Sequence, residues 1–148
     1  MENIPELELQ PLNDNGKCFG CGKDNVIGLK LKFNWDGKTA KAEFIPTENL
    51  QGWSGYLHGG ITACVLDEAM GWVAMYAGAY NVTAKMQVRY RRMVPIGQTC
   101  IVSCTITRET SRLIETAAFL TDVNGTVFAE GTSTQFIVGQ MEKKDRLS

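Results

Sequence analysis

Several features that would announce a function at once are missing from this sequence. Its 15 basic and 16 acidic side chains leave a formal net charge of -1, so the chain as a whole carries no electrostatic footprint for nucleic acid. A secretory signal needs a basic start followed by an apolar run, whereas the N-terminus, MENIPELELQPLND, offers acids and two prolines. A cytoplasmic protein is therefore expected. The one apolar stretch of bilayer length, Ile61 to Tyr80, has Asp67 and Glu68 near its centre, where each carboxylate costs about 3 kcal/mol on insertion scales. That excludes a membrane span, and no membrane partner is expected.

Internal repeats and low-complexity linkers are also lacking. At 16.3 kDa the chain is large enough to bury a core without staples. It reads as one domain over 18–138, with an N-terminal extension at 1–17 and a polar tail at 139–148. No serine lies in a nucleophile-elbow pattern, which argues against a serine-type triad. The five cysteines are odd in number and favour reduced thiols in a protein of this size. Cys18 and Cys21 make a lone C-x-x-C with no second such pair and no histidine pair. Structural zinc takes four ligands, so the motif reads as a tight turn and no metal is expected. Cys100 and Cys104 read as strand residues, and Cys64 as a small apolar helix residue with an unactivated thiol.

What is present has clear punctuation. Leu29 to Asn34 and Thr39 to Phe44 alternate around a turn at Trp35-Asp36-Gly37-Lys38, which predicts a hairpin. A helix is predicted from about Gly59 to Ala77, with Gly78 placed to end it. Strands follow at Thr83 to Tyr90, Thr99 to Thr107, Leu113 to Leu120 and Thr126 to Val138, the last pair joined through Asn124-Gly125. One long helix among antiparallel strands gives an α+β protein. The helix is apolar nearly all round, so the sheet is expected to wrap it.

At 100° per residue, Gly60, Cys64, Asp67, Gly71, Ala74 and Gly78 share a stripe of small residues, a side where a backbone or ligand can come close. Asp67 is the one charged group on it. It is either a buried acid satisfied by backbone donors or a functional carboxylate. Glu68 lies off the stripe and is expected to reach solvent, an interface rim or a salt bridge.

At the helix mouth, Gly59 and Gly60 leave amides unobstructed, and the first four amides of a helix have no internal partners. With the helix dipole they suit an anion or a carbonyl oxygen becoming one. Asp67 is eight residues further on, about 12 Å along the helix, too far to serve its own N-terminus. A two-fold dimer with antiparallel helices would bring one subunit's Asp67 toward the other's Gly59. His58, the single histidine, would then orient water or substrate, or else cap the helix. Lys85, Arg89, Arg91 and Arg92 form a basic cluster suited to phosphates.

The run His58-Gly59-Gly60-(x)6-Asp67, the pattern T-x-x-M-x-V-x-Y from Thr83, Pro95-Ile96-Gly97 and the upstream Cys18-Phe19-Gly20-Cys21-Gly22 with Asn25, Gly28 and Leu29 together resemble the hotdog-fold acyl-CoA thioesterases of the PaaI-like branch. That resemblance implies a curved antiparallel sheet around a central helix, a homodimer that pairs again into a tetramer, and sites at the dimer interface. It implies hydrolysis of a small to medium acyl- or aryl-acyl-CoA with no cofactor beyond the coenzyme A of the substrate. Asp67 would be general base or nucleophile and the Gly59 amide would polarise the thioester carbonyl, with His58 and Thr83 beside them. Gly60, Gln51, Trp53 and the basic cluster would bind substrate. Relatives often carry an amide residue where this chain has Gly52, so that polar role is unfilled or moved to Gln51. A non-catalytic acyl-CoA-binding module is the alternative, and a hotdog dehydratase a weaker third.

Overall fold

The structure, a computed structural model, describes residues 15–142. Most of the expected N-terminal extension, and the tail beyond residue 142, lie outside the described residues. Six strands make one antiparallel sheet: β1 (Asn34–Trp35), β2 (Thr39–Phe44), β3 (Ala79–Tyr90), β4 (Cys100–Glu109), β5 (Leu113–Asp122) and β6 (Val127–Gln140). Their order across the sheet is β1-β2-β4-β5-β6-β3. The strand that follows the helix therefore lies at a sheet edge. One long helix, α1 (Gly59–Tyr76), packs on one face.

The turns explain the connectivity. Asp36 accepts from the amides of Lys38 and Thr39 at 2.9 and 2.7 Å, and Gly37 supplies the left-handed conformation at φ +95° that glycine adopts at no steric cost. Asp122 does the same at the β5–β6 turn, accepting from Asn124 and Thr126 at 2.8 and 2.9 Å. Those bonds hold both carboxyls below the usual carboxylate range, because an acceptor of backbone N–H bonds is better charged.

Helix α1 buries Thr62, Val65, Leu66, Ala69, Met70, Val73 and Ala74, a run at helical spacing against the inward residues of β2, β4 and β5. Leu66, Met70, Val102 and Leu120 have no exposure at all. The sheet curves around that face; the rest of the helix surface is half-buried, or exposed at Gly59 and Gly60, so the helix is not buried all round within one chain. Part of that surface is covered by β1 and the segment before it: Trp35 of β1 stacks on Tyr76 with ring centroids 5.0 Å apart, and Phe33 on Trp72 at 5.7 Å.

That segment also corrects the predicted first strand. Only Asn34 of Leu29 to Asn34 is in a ladder. Leu31 is buried, Leu29 and Phe33 pack on the core, and Lys30 takes φ +53°. The alternation was produced by packing of an irregular segment on the core rather than by strand pairing.

Candidate active site

Helix α1 carries two adjacent acids, and two different regions of the chain hold them. Asp67 Oδ1 accepts from Thr83 Oγ1 on β3 at 2.7 Å. No bond is formed by Asp67 Oδ2 among the described residues, and Asp67 lines a cavity of about 540 Å³. The cavity has three walls: Gly71, Trp72 and Met75 of the helix with both acids, Tyr80, Asn81 and Thr83 of β3, and Cys18 and Cys21 of the N-terminal segment. A carboxylate with one oxygen tied and one free at a cavity wall is placed to take a proton.

The backbone of β3 explains why Thr83 reaches the helix. Thr83 pairs with Gln135 but Lys85 pairs with Thr134, so Ala84 is an extra residue in a bulge. Bulges re-aim a side chain and terminate regular pairing. Behind Thr83 a polar chain runs inward: Thr83 Oγ1 is 3.0 Å from the Gln135 amide, Gln135 contacts Ser133 Oγ at 2.7 Å, and Ser133 meets Thr116 Oγ1 at 2.6 Å. Thr83 has one proton for two neighbours. With the Gln135 nitrogen turned toward Thr83, an exchange the heavy atoms permit, each group donates once. Thr116 then donates to Ser133, Ser133 to Gln135, Gln135 to Thr83 and Thr83 to Asp67. Gln135 is fully buried and sequence reading passed it over, since an alternating strand does not reveal which inward side chain is polar by design.

Glu68 is not peripheral as expected. It is half-buried under the N-terminal segment, with Cys18 Sγ 3.4 Å from its Oε1, and burial raises its carboxyl above the ordinary range against the lowering effect of the cysteine contacts. Burial first, then Glu68, pushes the Cys21 thiol far up and the Cys64 thiol up to about 11. A thiol so protonated is a poor nucleophile. Cys18 to Cys21 does form a tight turn, closed by Gly22 N–H donating to the Cys18 carbonyl at 2.8 Å. Cys100 and Cys104 are buried in β4.

At the helix mouth His58 is the N-cap: its Nδ1 accepts from the Gly60 amide at 2.8 Å, which leaves the ring proton to Nε2. The amides of Ile61 and Thr62 donate to the His58 carbonyl at 3.0 and 3.1 Å. Gly59 is thus the first-turn position whose amide has no acceptor among the described residues. Its carbonyl accepts from Tyr90 Oη at 2.8 Å, fixing the mouth to the end of β3. A Cβ on Gly59 would meet only Tyr90, at 3.6 Å, so neither backbone nor internal packing demands glycine there.

The remaining expected substrate residues are scattered. Gln51 is engaged locally, accepting from Gly55 N–H at 3.0 Å, and Trp53 is 81% exposed. Gly52 lies against His58. Arg89 lines an outer groove of β3, β5 and β6, Lys85 lines a smaller one, and Arg91 pairs with Glu130 at 3.0 Å. Arg92 is exposed. Within one chain the basic cluster and Asp67 are not brought together.

A curved antiparallel sheet on one long helix, with a carboxylate at the helix-to-edge-strand seam, is the hotdog fold. The thioesterase superfamily model matches residues 54–129, about half of the chain, and the chain belongs to that superfamily. Among solved structures, smu.793 from Streptococcus mutans UA159 bound to acetyl CoA is 17% identical with a TM-score of 0.72, covering 76% of this chain and 91% of that one. The E. coli PaaI protein from the phenylacetic acid degradation operon is 14% identical with a TM-score of 0.71, over 76% and 83%. A hypothetical thioesterase from Streptococcus pneumoniae TIGR4, solved with an aspartate changed to alanine, is 15% identical with a TM-score of 0.70, over 74% and 92%. The same protein was solved with a threonine changed to alanine 16 residues further on. No described helix is long and apolar enough to cross a membrane.

Proposed function

We propose that this protein is a cytoplasmic acyl-CoA thioesterase that hydrolyses a small to medium acyl- or aryl-acyl-CoA to the free acid and coenzyme A. The observation that carries the reading is the state of Asp67: one oxygen held by Thr83 at 2.7 Å, the other free at the wall of a cavity. Asp67 accepts a proton from water as the water attacks the thioester carbon; in the other course Asp67 attacks directly and expels the thiolate, and water then hydrolyses the mixed anhydride, releasing the free acid and supplying the thiolate's proton. The developing oxyanion takes the Gly59 N–H, aided by the helix dipole. Collapse of the tetrahedral species breaks the C–S bond, and the proton held by Asp67 passes to the departing thiolate. The separation of 16 residues between Asp67 and Thr83 equals that of the aspartate and threonine altered in the S. pneumoniae protein, which supports assigning this pair to the site.

Gly59 and Asp67 belong to different sites of a homodimer. Support comes from β3, a 12-residue strand at the sheet edge whose outer backbone groups are a template for a second copy. Trp53, Tyr56, Tyr90 and Met93 are exposed around the helix mouth, an apolar surface of the kind that marks an interface. Pairing across β3 would set each Asp67 near the other subunit's Gly59, and such dimers would pair again into tetramers. Trp72 and Met75 suit an acyl or aryl group. Lys85, Arg89, Arg91 and Arg92 on the edge strand and just after it are the candidates for the coenzyme A phosphates.

A binding module without catalysis is disfavoured by the free Gly59 amide and the free Asp67 oxygen, which binding alone would not require together. Thiol release across short, medium, long and aryl acyl-CoAs, wild type against Asp67→Asn, tests the reading. Turnover abolished or strongly reduced in the variant supports it; equal rates remove Asp67 from the mechanism, and tight acyl-CoA binding without turnover establishes the binding module.

A further inference from the structure

The second acid of the cavity has neighbours of a different chemistry. The sulfurs of Cys18 and Cys21 and a carboxylate oxygen of Glu68 all lie within 4.8 Å of one another. Cys18 Sγ is 3.4 Å from Glu68 Oε1. In a tetrahedral zinc site, with Zn–S about 2.3 Å and Zn–O about 2.0 Å, a sulfur and an oxygen ligand stand about 3.5 Å apart and two sulfurs about 3.8 Å. The Cys18–Glu68 pair already has that spacing, and the Cys21 sulfur lies within 4.8 Å of both.

The chain is shaped to hold these groups together. Gly22 N–H closes the turn on the Cys18 carbonyl, which sets both cysteines on the helix side. A Cβ on Gly20 would overlap the Glu68 side chain, so the turn seats on that carboxylate only because residue 20 is glycine. Among the described residues no basic side chain pairs with Glu68; the ion pairs are Arg91–Glu130 and Arg108–Glu115. Thiols are weak hydrogen-bond donors and, with the neutral Trp72 side chain as the one further donor to Glu68, leave a half-buried carboxylate without an opposite charge. A divalent cation compensates it and takes both sulfurs as thiolates.

We propose that Cys18, Cys21 and Glu68 form a three-ligand site for a thiophilic divalent cation of the zinc class, with its fourth position open to water in the cavity. The ion clips the N-terminal segment to the helix beside Asp67 and completes one cavity wall. Catalysis is not routed through it, and the proposal stands independently of the thioesterase reading.

Reduced full-length protein, stripped with a chelator, is titrated with Co²⁺ and then Zn²⁺. One equivalent of Co²⁺ per chain is expected, with thiolate-to-cobalt charge-transfer absorption that Zn²⁺ abolishes. Cys18→Ser, Cys21→Ser and Glu68→Gln should each weaken binding roughly tenfold or more, given that loss of even an outer-shell partner costs about 10- to 100-fold. Cys100→Ser should not weaken it. Absence of the charge-transfer band, or a band unchanged in Cys18→Ser and Cys21→Ser, overturns the site. Should those variants fail to fold, the wild type still decides: Zn²⁺ must slow iodoacetamide labelling of Cys18 and Cys21, read by mass spectrometry. Unchanged labelling, or a Cys18–Cys21 disulfide formed in a glutathione buffer despite Zn²⁺, refutes it.

Discussion

The two walls that face helix α1 across the cavity hold neighbouring carboxylates in contrasting ways. The β3 wall meets Asp67 with a hydroxyl backed by a buried amide and two further hydroxyls. The N-terminal wall meets Glu68 with two thiols and covers it. A neutral, directional donor ties one oxygen of a carboxylate and leaves the other free for a substrate; a thiol cover partly shields the acid and suits it to a cation. Adjacency on a helix thus says little about role. What arrives from distant parts of the chain separates the two.

The strongest way to break this contrast is Asp67→Asn. Removal of a positioned base costs roughly 10² to 10⁴-fold in rate, so kcat for thiol release should fall by that amount while the melting temperature and acyl-CoA affinity stay near wild type. Next comes the N-terminal wall. Leu31 is 3% exposed and packs in the main core, so Leu31→Ala should lower unfolding free energy in denaturant titration by about 2 to 5 kcal/mol. Its kcat at a temperature where it remains folded should stay within a few-fold of wild type; a loss as large as that of Asp67→Asn would mean the two walls do not differ in role.

Thr83→Val sharpens the β3 side. A hydrogen bond to a charged group is worth about 1.5 to 3 kcal/mol, or roughly 10- to 100-fold in kcat, and Thr83→Ser should restore most of it while Val does not. The smallest effect is expected away from both walls. Arg108 pairs with Glu115 at 3.4 Å with side chains 60% and 38% exposed, and such pairs contribute below about 1 kcal/mol. Arg108→Ala should leave both kcat and the denaturation midpoint nearly unchanged.

Much of this was legible before the structure. Gly59 to Gly78 defined the helix because capping, apolar periodicity and the terminating glycine, with φ +91°, agree on the same bounds. Asp36-Gly37 and Asn124-Gly125 placed the hairpin turns for the same local reason. Asp67 stood out because it is the one charge on a stripe of small residues. The failures are non-local. Leu29, Leu31 and Phe33 alternate without a strand ladder, and Glu68 looked peripheral because its partner lies 50 residues away. The bulge at Ala84 and the buried amide of Gln135 depend on the register between β3 and β6, which a single strand's pattern does not encode. The curved sheet around a central helix is as expected, but burial nearly all round the helix is not reached within one chain: the side bearing Asp67 is left half-open, in accord with a site that a second subunit completes.

Subunit complementation tests that shared site most directly. Asp67→Asn protein and Gly59→Val protein, whose branched side chain screens the residue 59 amide from a substrate carbonyl, are each expected to have activity strongly reduced, and are mixed in equal amounts under conditions that let subunits exchange. In a mixed dimer one site joins both lesions and the other is intact. Random pairing makes about half of the dimers mixed, each with one working site of two, so thiol release should recover to about a quarter of the wild-type rate for a two-fold interface. Activity that stays at the level of the separate variants, with exchange verified, would show that Asp67 and Gly59 act within one chain and would contradict the account.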